Sequence, residues 1–148
     1  MSRLLSRFTL SLLLVCMTAA CHPAPPNLDP ATTRMWQADQ VQVILGELQH
    51  TAISFNTVKV CPTPNSTTDC RPLLSDKNTG VVVDTVTSAL LTLRKAPDGW
   101  NATGLAALEQ ISSALDAVGK TQLAAYIDAA RVALGLILKS AATAAPPK

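Results

Sequence analysis

All ten prolines of the chain fall outside three long stretches. An interior proline removes a helical hydrogen bond and clashes with the preceding turn, at a cost of about 3 kcal/mol. Long helices are therefore confined to the proline-free windows 31–61, 73–96 and 98–145. A chain of 148 residues is one domain's worth, so these windows are expected to share a single core.

Each window carries a helical pattern. Asp29 is placed to cap a first helix and Pro30 suits the first helical position, where its missing donor does no harm. Val41, Ile44, Leu48, Ala52 and Phe55 recur at spacings of three and four as far as about Val58. That puts them on one stripe, with Gln37, Asp39, Gln40, Gln49 and His50 off it. In the second window, residues 81–87 are β-branched and resemble a strand. The apolar set Val82, Val86, Ala89, Leu90 and Leu93 nevertheless continues helical spacing to Arg94, with Asn78 or Thr79 as cap. The third window is expected to divide at Gly119 and Lys120, with the glycine ending one helix and Thr121 capping the next. Leu105, Leu108, Ile111, Leu115 and Val118 would line the third helix, and Leu123, Ile127, Ala130, Leu134 and Ile137 the fourth. The expected fold is all-α: a small antiparallel bundle of about four helices, residues 30–142, with alanine-rich core positions that let the helices approach closely.

The longest connection, residues 59–78, contains Cys61 and Cys70 with eight residues between them. If the chain is exported, a local disulfide is the natural reading. The first twenty residues fit export. Arg3 and Arg7 precede an apolar run from Phe8 to Ala20 that ends in small residues, the pattern of a secretory signal peptide. Its 13 residues fall short of the roughly 20 that span a bilayer.

At the end of that run, Met17-Thr18-Ala19-Ala20-Cys21 resembles the lipobox of bacterial lipoprotein precursors. The resemblance implies that Cys21 is acylated and becomes the new amino terminus, holding the protein to a membrane. Leucine is the family's favoured residue where Thr18 stands. Cysteine arithmetic points the same way: Cys16 leaves with the signal, Cys61 and Cys70 pair, and Cys21 is the odd one remaining. The proline-rich stretch 21–29 that follows favours extended geometry and suits a tether, while residues 143–148 suit a flexible tail. In Gram-negative members of the family an aspartate after the lipidated cysteine commonly marks inner-membrane retention. His22 stands there, so the resemblance implies the periplasmic face of the outer membrane.

Chemistry is sparse. Glu47 and His50 match the Glu-x-x-His spacing of di-metal helical bundles, but such sites need a second copy and two further glutamates. The mature chain has only Glu109 besides, and its other histidine is His22; a solvated face is the expected reading. Glu109 and Asp116, expected together on the exposed side of the third helix, lack a third group for acid–base work. The formal net charge of +2 lies in Arg3 and Arg7, since ten Lys or Arg meet ten Asp or Glu from Cys21 onward. With only Trp36, Phe55, Trp100 and Tyr126 as aromatics from Cys21 onward, there is no nucleic-acid footprint. Asn65-Ser66-Thr67 and Asn101-Ala102-Thr103 match the glycosylation acceptor and read as incidental in a bacterial protein. Trp36 and Trp100 are expected at helix ends, and the apolar run 132–138 within a core helix.

These observations imply neither enzyme chemistry nor a metal or organic cofactor. They point to an exported, lipid-anchored helical protein of the bacterial envelope, or of a phage that targets it, acting through contacts with an envelope protein. A bundle that holds an apolar ligand in a cavity and a secreted, unlipidated protein are the alternatives.

Overall fold

The boundary at Pro30 is a helix start. Asp29 sits in extended backbone and accepts from the N–H groups of Ala31 (2.9 Å) and Thr32 (3.1 Å), satisfying two donors that the first turn cannot pair internally. The helix that follows, α1 (Pro30–Thr57), is the first of four in a computed structural model that describes residues 28–63 and 69–143, with side chains to residue 140. The others are α2 (Asp76–Lys95), α3 (Trp100–Ala114) and α4 (Ala117–Thr143). A turn of 3-10 helix at Pro97–Gly99 separates α2 from α3.

The β-branched stretch 81–87 is helical, as its longer periodicity requires. The cap of α2 is Ser75, whose Oγ accepts from the Asn78 N–H at 3.3 Å, three residues before Asn78 and four before Thr79, the two expected caps. Asp76 in its first turn and Arg94 and Lys95 in its last match the helix dipole.

Each helix packs against the next, and α4 returns to α1, giving an up-down-up-down antiparallel bundle. At one end, Arg34 of α1 pairs with Asp98 of the 3-10 turn (3.4 Å). At the other, Asn56 of α1 donates to the Leu74 carbonyl (3.1 Å) and to Asp76 (2.7 Å) at the start of α2, and Phe55 meets Tyr126 of α4 edge-on, centroids 5.4 Å apart. At 1.5 Å per residue α1 is about 42 Å long, and that sets the bundle's height.

The core runs through all four helices, with Val41, Leu45, Val82, Val86, Leu108, Ile111, Leu123 and Leu134 fully buried. Close approach is real: a Cβ on Gly104 of α3 would lie 3.0 Å from Val41 of α1 and 3.3 Å from both δ-carbons of Leu134. On α1 the buried face is wider than the expected stripe, since it includes Leu45, Thr51 and Gln37 (4% exposed). On α3 and α4 the division falls earlier than expected, at Leu115 and Asp116. Gly119 therefore lies in the first turn of α4 and Thr121 is a helical residue, not a cap. As a consequence Val118, expected in the core, is exposed, and Leu105 is exposed as well because the buried face of α3 runs through Gly104, Ala107, Leu108 and Ile111.

The connection between α1 and α2 is a short antiparallel hairpin, β1 (Lys59–Val60) and β2 (Arg71–Pro72), with Lys59 opposite Pro72 and Val60 opposite Arg71. The Leu73 N–H donates to the Val58 carbonyl (2.9 Å). Alternation along the ladder then puts Pro72 in a non-hydrogen-bonded position, where its missing donor costs nothing. Cys61 and Cys70 occupy the next rung and are joined by a disulfide, Cα atoms 4.1 Å apart. Leu74, just past β2, is fully buried and plugs this end of the core, held by its N–H to the Phe55 carbonyl (3.1 Å).

Reducing the disulfide is expected to lower the unfolding free energy by about 2–3 kcal/mol, as loop entropy predicts for so small a ring, while the helices persist. Urea midpoints with and without reductant, read by circular dichroism at 222 nm, check both halves of that statement.

Candidate functional site

The hairpin end of the bundle is where polar side chains, a cross-link and a surface depression converge. An open groove of about 480 Å³ is lined by Val60 and Arg71 of the two hairpin strands, by Pro62 and Asp69 beyond them, and by Gln122 of α4. Asp69, just before Cys70, takes a left-handed conformation (φ 67°), one that aspartate tolerates better than most residues. One guanidinium, one carboxylate, one amide and the disulfide wall equip the groove for contact with a polar chain segment. Exposed Val58 and Val60, together with Val118 one turn before Gln122, add apolar surface at the same end.

Beneath this surface lies a clamp that ties three elements. Asn78 of α2 is 1% exposed. Its Nδ2 donates to Asp116 Oδ1 (2.9 Å), and its Oδ1 accepts from the Asp116 N–H (3.3 Å). The same Asp116 oxygen accepts from the Gly119 N–H (2.8 Å), and the Asp116 carbonyl accepts from the Lys120 N–H (2.9 Å). Asp116 is thus the cap of α4 at the α3–α4 corner, not a partner of Glu109 on the exposed side of α3. A Cβ on Gly119 would lie 2.6 Å from Asn78 Nδ2 and 2.7 Å from its Cγ, so only glycine lets the amide reach the cap.

The Gly119 N–H, then the Asn78 amide, hold the Asp116 carboxyl below its usual value; Asp29 is lowered likewise, foremost by the Thr32 hydroxyl. A carboxylate with a lowered folded-state pKa adds stability above its unfolded value, and that contribution is lost as pH falls through the folded value. Urea midpoints are therefore expected to be level above about pH 5 and to drop below about pH 4, where unfolded aspartate protonates. Asp116→Asn, which keeps the acceptor and removes the charge, should flatten part of that fall; an unchanged acid limb in this variant would contradict the assignment.

The other sequence candidates separate. Cys21 lies outside the described residues, as do the signal-like segment, most of the tether and Asn65. Glu47 is half-buried and His50 exposed on α1, and among the described residues no three His, Cys, Asp or Glu side chains gather as a ligand set. Asn101 is half-buried in the first turn of α3, its Oδ1 enclosed without a hydrogen-bond partner. Trp36 is half-buried against the core and Trp100 is buried. By length and composition Ala117–Ser140 of α4 could cross a membrane, but Leu123, Ile127, Leu134 and Ile137 are core residues.

The clamp was missed in the sequence. Its one signal was an aspartate directly before an apolar helical run, a capping pattern. Comparison with protein-family models, with curated proteins and with solved structures found no match.

Proposed function

We propose that the protein is an envelope lipoprotein of bacterial or phage origin: a helical module fixed to a membrane through acylated Cys21 and acting by contact with another envelope protein. The observation that carries the reading is the stretch Met17-Thr18-Ala19-Ala20-Cys21 at the end of a signal-like apolar run, followed by a proline-rich tether. The bundle supports it indirectly. A neutral mature chain with a rigid, cross-linked end and a mixed polar and apolar groove suits contact with a protein chain. By the same resemblance, His22 favours the periplasmic face of the outer membrane.

The groove lies outside the core, at the hairpin, which favours a contact module over a bundle that encloses an apolar ligand. Metabolic labelling with a palmitate analogue in the expressing cell tests the anchor. The wild-type protein is expected to take up label and Cys21→Ser to take up none, the variant accumulating as a longer precursor with its first twenty residues intact. A wild-type protein that carries no label would overturn the reading.

A further inference from the structure

Residue 30 and residue 143 lie at the same end of the bundle, because four antiparallel helices return the chain to where it began. The disulfide hairpin and the Asn78–Asp116 clamp lie at the other end. Only eight residues separate Cys21 from Pro30, and the nine-residue step between them reaches at most about 30 Å even when fully extended. A lipid on Cys21 therefore keeps the chain-end pole within about 30 Å of the bilayer.

That pole has the side chains of a surface seated on lipid. Arg34, Arg94, Lys95 and Lys139 stand there against Asp29 and Asp98, and Arg34 already pairs with Asp98. Met35 (61%), Leu91 (51%) and Leu138 (38%) are exposed apolar residues within about two turns of the helix ends. Trp36, half-buried, is also at this end, whereas Trp100 there is buried in the core. Cations attract anionic headgroups, and tryptophan favours the membrane–water boundary.

We propose that the chain-end pole seats on an anionic phospholipid surface, so that the bundle stands upright and the hairpin groove is its outermost part. The proposal rests on the lipid-anchor reading and gives that reading a direction. The tether and the cation excess select the membrane as occupant over a second protein.

The test uses the mature protein, its intact mass recording whether Cys21 is acylated, placed in vesicles of phosphatidylethanolamine with phosphatidylglycerol or of phosphatidylcholine alone, with and without brominated acyl chains. Bromine quenches tryptophan only at close range. Emission is expected to fall in the brominated phosphatidylglycerol vesicles, less in phosphatidylcholine, and Trp36→Phe should remove most of the loss. Arg94→Gln with Lys95→Gln, both exposed and away from the core, is expected to bring the loss down to the phosphatidylcholine level. An acylated protein whose emission is the same in all vesicles, or is quenched without regard to lipid charge, overturns the seat and leaves the anchor standing. A protein without acyl mass overturns the anchor, and the absence of quenching in that sample overturns the seat as well.

Discussion

Leu134→Ala is expected to lower the unfolding free energy by about 3–5 kcal/mol, the upper part of the range for buried leucine truncation. Leu134 is fully buried on α4. Its δ-carbons rest on the bare backbone of Gly104, and Val41 of α1 crowds the same position. The void left by truncation therefore borders a residue that has no side chain to move into it, and the cost grows with the cavity that stays open. Leu136, two residues on and 45% exposed, provides the contrast: alanine there should change stability by no more than about 0.5 kcal/mol. Chemical denaturation of the two variants measures the difference. Equal losses would mean that α4 is rotated from the orientation described.

The second large effect concerns the clamp. Asn78→Ala removes a buried amide that makes two hydrogen bonds to Asp116, one of them charge-assisted, and is expected to cost about 2–3 kcal/mol. Gly119→Ala should also destabilise, by about 1–2 kcal/mol, although alanine is favoured over glycine in a helix by up to about 1 kcal/mol. The reason is space: the new methyl needs the position of an amide that its hydrogen bonds hold fixed. In the Asn78→Ala background that obstacle is gone, and Gly119→Ala is expected to become neutral or stabilising. The four proteins form a double-mutant cycle with a coupling energy of at least about 1 kcal/mol. Additive losses would show that the two residues do not meet.

Much of this architecture was legible before any coordinates. Proline positions bound the helices because proline is incompatible with a helix interior whatever the tertiary context, and Asp29 with Pro30 marks the start of α1 by local chemistry alone. The Cys61–Cys70 bridge follows from spacing within one connection. What the sequence concealed depends on distant partners. Gly119 resembles a helix terminator but is small because Asn78 approaches from 41 residues away along the chain. Asp116 resembles surface charge but caps α4, and that exchange displaced the expected break and misplaced Val118; Leu105 was misplaced because small Gly104 and Ala107 take the buried face of α3 beside Leu108. Leu74 lies in a strap with no periodicity, so nothing local announces that it plugs the core. Gln37 is polar, yet its place on the wheel one turn before Val41 puts it on the buried face.

The hairpin groove was equally hidden, since it joins strands of one connection to Gln122 of a helix fifty residues later. The anchor is the reverse case. It is read wholly from the sequence, in the local run Met17-Thr18-Ala19-Ala20-Cys21.

The central claim is the acylation of Cys21, and the intact mass of the protein from a detergent-extracted membrane fraction, taken with and without reductant, tests it most directly. The account predicts a chain beginning at Cys21 that carries diacylglyceryl and acyl mass and gains two hydrogens on reduction of the Cys61–Cys70 bridge. A mature chain with a free, unmodified Cys21 thiol would contradict it.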